Sequence, residues 1–155
     1  MSLVVVGSIA FDAVRTPFGE RDKMLGGSAV HFSLAASFFT EVRVVVAKQG
    51  EYGAALFTAE GFFALPAYPL EAVVDPTGAG DSFAGGFLGY LASQGEGAAS
   101  DEGELRRAMT YGSTLASFNV EEFGTERVSR LTREEIDERF DEFRRITTIE
   151  GIPAA

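Results

Sequence analysis

No cysteine occurs in the 155-residue chain, which excludes disulfide cross-links and thiolate chemistry and leaves no Cys–His set for zinc. Histidine is nearly as scarce. His31 is the only one; it sits mid-helix in an apolar stretch, and no sequence feature supplies the partners of a Ser-His-Asp triad. We therefore read His31 as a packed or substrate-side helix residue. Basic residues are outnumbered, 13 Lys plus Arg against 23 Asp plus Glu, for a net charge of −10. A field of that sign repels polyanions, so nucleic acid is not an expected partner, and an anionic small ligand needs a local positive site. There is no run of about 18 apolar residues and no basic-then-apolar leader, so a soluble, cytoplasmic protein without a membrane partner is expected. The Walker A pattern Gly-x-x-x-x-Gly-Lys is missing too, which argues against a P-loop nucleotidase.

What is present is an ordinary globular composition, 46% hydrophobic and 23% charged, at a length that fits one domain burying roughly 70% of its unfolded surface. Leu3 to Gly7 is a continuous apolar run closed by glycine, the pattern of a strand buried on both faces, and Asp12 follows near its end. Arg15 to Leu25 reads as a loop or short exposed hairpin. The pair Gly26-Gly27 opens a helix over Ser28 to Phe39, expected to pack on most sides. Glu41 to Lys48 reads as a second buried strand. "KQGEYGAALF" turns at Gly50 and Gly53 into a further strand, with "GFFAL" as its hairpin partner. The pairs Phe38-Phe39 and Phe62-Phe63 are read as core, or as contacts left exposed by a missing segment, in preference to the lining of a ligand cleft.

From Ala79 onward Phe83, Phe87, Tyr90 and Leu91 recur at helical spacing despite Gly85, Gly86 and Gly89. An interior helical glycine costs about 0.8–1 kcal/mol relative to alanine, so close approach of helix to sheet, or of backbone to ligand, is expected to offset it. Leu105, Ala108, Met109, Gly112, Leu115 and Ala116 mark the next helix. Asp101 and Glu104, then Thr132 and Glu135, have capping-box spacing at the starts of the last two helices.

The stretch "VVDPTGAGDSFAGGF", Val73 to Phe87, carries the chemistry. Glycines at 78 and 80 let successive backbone N–H groups point inward, and a helix N-terminus adds about half a positive charge. An anion hole can form there without Lys or Arg. Phosphoryl transfer needs positioning, charge neutralisation and one acceptor for the proton of the attacking hydroxyl. Spacing alone leaves Asp81 between two roles, that acceptor or a plain helix cap.

The same stretch resembles the C-terminal signature of the PfkB (ribokinase-like) carbohydrate kinases, Asp-Thr-x-Gly-Ala-Gly-Asp. It falls on Asp75, Thr77, Gly78, Ala79, Gly80 and Asp81. The resemblance implies that Asp81 is the catalytic base and that the backbone of Gly78, Ala79, Gly80 and Asp81 holds the transferring phosphate. "VVVGSIAFD" with "GGSAVHFSLAA" is similar to the family's N-terminus and implies hydroxyl-binding roles for Asp12, Gly26 and Gly27. "KQGEYGAALF" resembles its nucleotide-side turn, implicating Lys48, Gly50 and Gly53, with Thr77 beside the phosphates. "ASFNVEEFG" resembles the loop near the adenine, with Ala116 and Asn119 as wall residues. ATP and Mg2+ are implied as cofactors, and a sugar or nucleoside as the acceptor.

The chain also departs from that family. The part between the first helix and the Lys-x-Gly-x-x-Gly turn is missing, with a join inside "EVRVVVAK", near 42–48. With it goes the central Asn-x-x-Glu motif. "NVEE", Asn119 to Glu122, matches that motif only formally, in an adenine-side region where an acidic exposed loop is the plainer reading, and no protein metal ligands are assigned. The expectation is a single domain over 1–155, a shortened ribokinase-like three-layer α/β/α sandwich with a mostly parallel sheet. An open sheet edge and unfilled apolar surface favour a homodimer. Three roles follow: a PfkB-type sugar kinase, a non-catalytic nucleotide- or phosphate-binding remnant, or a trimmed scaffold that self-associates.

Overall fold

A computed structural model describes residues 2–148. The chain divides into two compact units, the first running to Ala64 and the second starting at Leu65. Each is described by itself.

The first unit contains β1 (Ser2–Ser8), β2 (Ala10–Thr16), β3 (Gly19–Gly26), α1 (Ser28–Ala36), β4 (Glu41–Lys48) and β5 (Ala54–Phe57), with β6 (Phe62–Leu65) reaching the boundary. The strand order is β1-β4-β5-β6, and β2-β3 form a separate two-stranded sheet. β1 and β4 run parallel with Val5 opposite Val45 and Val6 opposite Val46. Their β-branched side chains fill the pleat, and Val5, Val44, Val46 and Ala47 are buried. Residues 41–48, where a join is expected, form one uninterrupted strand.

The sheet is not mostly parallel. β4 and β5 are antiparallel, with Ala47 opposite Ala55, and the Thr58–Gly61 turn linking β5 to β6 closes through Thr58 N–H to Gly61 O at 2.9 Å. Connections this short permit only hairpins. The β1–β4 pair alone has an intervening stretch long enough for a parallel return.

The segment after β1 is more ordered than its composition suggests. Asp12 does not end a strand but lies inside β2, which pairs with β3 as a hairpin from Ala10 opposite Gly26 to Thr16 opposite Gly19. Helix α1 is also less buried than expected. Ala29 is its one buried residue, while Phe32 and Leu34 are 56% and 61% exposed, and His31 is exposed rather than packed. The neighbouring Phe38 and Phe39, and Phe62 in β6, are exposed rather than core.

The second unit contains α2 (Ala79–Gln94), α3 (Glu102–Asn119) and α4 (Arg133–Thr147). Phe83, Phe87 and Leu91 of α2 and Leu105, Ala108 and Met109 of α3 are buried. A ladder of stacked rings, Tyr90 on Tyr111 at 4.7 Å and Tyr111 on Phe140 at 4.2 Å, ties all three helices together. Thr132 and Glu135 form the full capping box of α4. At α3 only half of one forms. Asp101 accepts from Glu104 N–H, but the Glu104 carboxylate bonds Tyr90 and Arg107 instead.

The glycines of α2 divide into two kinds. A Cβ at Gly86 would lie 2.8 Å from Leu115 Cδ1 and 3.1 Å from Gly112 Cα, and one at Gly112 would lie 2.8 Å from the Phe83 carbonyl. Backbone approaches backbone here, so the partner that offsets the glycine cost is α3, not a sheet or a ligand. Gly85 and Gly89 face open space. Gly112→Ala should therefore lower stability by about 1–3 kcal/mol through overpacking. Gly85→Ala and Gly89→Ala should each raise it by up to about 1 kcal/mol. Urea unfolding of the three variants checks the split, and a stabilised Gly112→Ala would contradict the packing.

Candidate functional site

The stretch Asp75–Asp81 is built by hydrogen bonds from a distant loop. Val74 N–H and Asp75 N–H both donate to Val120 O, at 2.8 and 3.3 Å. Asp75 then uses both carboxylate oxygens, Oδ2 accepting from Gly124 N–H at 3.0 Å and Oδ1 from Thr77 N–H at 2.9 Å. These two backbone donors, Gly124 first, hold the Asp75 carboxyl below its ordinary value.

The next four residues turn sharply. Ala79 N–H reaches back to Pro76 O at 3.3 Å, and Gly78 has φ 79° and ψ −3°, the third-residue conformation of a type II turn, which a side chain strains. Gly78 is the N-cap of α2, with no side-chain capping bond. Asp81 stands in the first helical turn, exposed. The helix-cap reading of Asp81 is thereby excluded. Asp81 N–H and Ser82 N–H donate to Gly78 O at 3.1 and 2.8 Å.

Asn119, the last residue of α3, reaches the same turn. Its Nδ2 donates to Thr77 O at 2.7 Å, and Ser82 Oγ donates to its Oδ1 at 2.8 Å. It is only 4% exposed. Ala116, one turn earlier, is half-buried in α3. Thr77, Gly78, Ala79, Gly80, Asp81 and Asn119 are thus brought together; Ser82 and Gly124 complete the arrangement. Neither was legible beforehand, because the bonds that recruit them join residues 37 and 49 positions apart.

In the first unit, Asp12 sits opposite Met24 on the β2–β3 hairpin. A Cβ at Gly26 would collide with the Asp12 carboxylate, and one at Gly27 with the Ser8 carbonyl. Gly27, at φ 96°, is the N-cap of α1. Ser8 N–H donates to Ser28 Oγ at 2.9 Å and Ser28 N–H to Ser8 Oγ at 3.2 Å, which pins the start of α1 to the end of β1. Asp12, Gly26 and Gly27 therefore form one patch. Lys48 ends β4, and Gly50 opens a single 3-10 turn. Gly53, at φ 103°, closes it through Gly53 N–H to Gly50 O at 3.2 Å and Gln49 N–H to Gly53 O at 2.8 Å.

"NVEE" offers no metal site. Glu121 is paired with Arg139 at 2.6 Å and with Arg127 at 3.2 Å, and Glu122 with Arg130. Its carboxylates are committed rather than loose in an exposed loop. Arg139 is further fixed over the Phe118 ring at 3.5 Å. No group of three or more His, Asp or Glu among the described residues could hold a metal ion. Among the described residues no helix is long and apolar enough to cross a membrane.

Comparison with known proteins follows the same pattern as the site. Residues 3–131 match the pfkB family carbohydrate kinase. A probable fructokinase-5 of Arabidopsis thaliana is 37% identical over 71 residues, 46% of this chain and 21% of that protein. Aminoimidazole riboside kinase from Salmonella enterica, solved with aminoimidazole riboside and an ATP analogue, is 30% identical with a TM-score of 0.57 over 64% of this chain and 32% of that one. A nucleoside kinase from Methanocaldococcus jannaschii is 27% identical with a TM-score of 0.55, over 73% and 38% of the two chains. The chain thus spans between 21% and 38% of the length of these relatives. With the family match extending over most of its residues, the chain belongs to the pfkB family carbohydrate kinases.

Proposed function

We propose that this chain binds the phosphates of ATP at the N-terminus of α2 and transfers the γ-phosphoryl group to a hydroxyl of a sugar or nucleoside. The observation that carries this reading is Asp81. Its carboxylate stands in the first turn of a helix that Gly78 already caps, so it is not used as a cap. In the reaction Asp81 takes the proton of the acceptor hydroxyl, the alkoxide oxygen attacks the γ-phosphorus, and the bond to the β-phosphate oxygen breaks, releasing ADP. The dipole of α2 and the backbone of the Gly78–Asp81 turn stabilise the charge on the phosphoryl oxygens, the Ala79 and Asp81 amides exchanging their bonds to Pro76 O and Gly78 O for the phosphate.

In the first unit Asp12 offers a carboxylate to acceptor hydroxyls, and the missing side chains of Gly26 and Gly27 make room for that carboxylate and for the Ser8 carbonyl. Lys48, Gly50 and Gly53 are assigned to nucleotide phosphates or ribose, Thr77 to the phosphates, and Ala116 to the adenine side, while Asn119 reaches the phosphate turn itself. Magnesium would supply positive charge to the nucleotide phosphates. With no carboxylate cluster to hold it, its ligands would be mainly the nucleotide and water.

A second reading is favoured by length. A chain spanning 32% of a matched kinase can retain phosphate binding while losing in-line placement of the acceptor, for which a misplacement of about 1 Å costs roughly 100-fold. ADP production across a panel of sugars and nucleosides, with nucleotide binding measured alongside, separates the two. Acceptor-dependent turnover supports the kinase. Binding without turnover supports the remnant, and absence of both overturns each.

Phe38 and Phe39 are 86% and 92% exposed, and we assign them to contact with a second copy. Light scattering at micromolar concentration is expected to give a dimer mass, and Phe38→Ser with Phe39→Ser a monomer mass. A monomeric parent would contradict this assignment.

A further inference from the structure

We infer that Asn119 is a positioning residue for the anion-binding turn, holding Gly78–Asp81 through its carboxamide, an inference that rests on the phosphotransfer reading of that turn. The two ends of this one side chain grip the segment on both sides. Nδ2 holds Thr77 O, immediately before Gly78, and Oδ1 holds Ser82 Oγ, immediately after Asp81.

Two of the four residues between are glycines, which lose the most conformational freedom when ordered. The Ala79 bond to Pro76 O is long, 3.3 Å, and Asp81 N–H, at 3.1 Å, shares Gly78 O with Ser82 N–H at 2.8 Å, so the Ala79 and Asp81 amides are held by weak local bonds. Catalysis by oriented backbone donors requires that they be fixed before charge develops. The Asn119 carboxamide and the Asp75 carboxylate, through Thr77 N–H and Gly124 N–H, supply that rigidity from outside the turn.

The chemistry is specific to asparagine. Thr77 O can only accept, so the Asn119 group facing it must be a donor; Ser82 Oγ then donates to the remaining amide oxygen. Aspartate would set a carboxylate oxygen against a carbonyl oxygen, and alanine would leave both partners unmet in a part-buried place. Because Asn119 is 4% exposed and its carboxamide is engaged with the turn, its effect on a nucleotide runs through the phosphates rather than through a direct bond to the base.

The test uses the full chain without ligand, then with ADP or adenosine. Amide hydrogen exchange at Ala79, Asp81 and Ser82 is expected to rise about tenfold in Asn119→Ala and Asn119→Asp, with a smaller rise in Ser82→Ala. Exchange at Phe87 and Leu91 should not change. ADP affinity should fall about tenfold while adenosine affinity is kept. Unchanged exchange in the turn overturns the inference, as does a uniform rise along α2 and α3, or a loss of adenosine affinity equal to that of ADP. Should the Asn119 variants not fold, Ser82→Ala decides by the same exchange readout. A parent chain that binds no ADP would sink the phosphotransfer reading, whereas the exchange data would still decide whether Asn119 fixes the turn.

Discussion

Asp81→Asn is expected to lower ATP-dependent phosphoryl transfer by about 10²- to 10⁴-fold, the usual contribution of a positioned general base, without weakening nucleotide binding. Asparagine keeps the shape of the side chain and removes its capacity to take a proton. The loss should therefore fall on kcat with KM for ATP nearly constant, the signature of an interaction made in the transition state. Stability should stay within about 0.5 kcal/mol, because Asp81 is exposed and Gly78, not Asp81, caps α2. Initial rates and urea unfolding on the same preparations check both halves. A variant that loses about 1 kcal/mol of stability and keeps its rate would contradict the general-base role and leave Asp81 as a charge stabilising the first turn of α2.

Phe143→Ala is expected to cost about 3–5 kcal/mol, a large share of the stability of a chain this size. Phe143 is fully buried and is the one buried residue of α4. Its ring meets the edge of Tyr68 at 5.5 Å, and the Tyr68 hydroxyl donates to Glu142 at 2.6 Å. The outer face of α4 cannot compensate. The Arg133–Asp137 and Arg144–Asp141 pairs are at least 46% exposed on each side, and such pairs contribute about 0–1 kcal/mol. Arg144→Ala should therefore be nearly neutral. Denaturant midpoints followed by circular dichroism distinguish the two variants, and a loss below about 1 kcal/mol for Phe143→Ala would show that α4 is seated by something other than this ring.

The features that could be read from sequence are those set by neighbours along the chain. The β-branched runs at Leu3–Gly7 and Glu41–Lys48 became paired strands because their side chains fit a buried pleat. Thr132 and Glu135 capped α4 because a capping box is complete within four residues. The glycine-rich turn before Asp81 was legible because the positive φ at Gly78 calls for glycine.

What escaped depends on partners far along the chain. Glycine at 86 announced a close approach but could not say to what, and Gly112 of α3 supplied the answer. The apolar content of Ser28–Phe39 suggested burial on most sides. Burial needs covering surface, however, and Phe32, Phe38 and Phe39 have little. Asn119 was read as a wall residue because its role in the turn arises from bonds to Thr77 and Ser82, 42 and 37 positions away. A mostly parallel sheet was expected from buried apolar strands, but connection length, not strand composition, made β5 and β6 hairpin neighbours.

The most direct test of the central claim is an ADP titration of the isotope-labelled chain, followed by backbone amide chemical shifts. The account predicts saturable shifts centred on Gly78, Ala79, Gly80 and Asp81, reproduced in part by inorganic phosphate and absent with adenosine. Saturable ADP binding that leaves these four amides unmoved, or no binding at all, would contradict it.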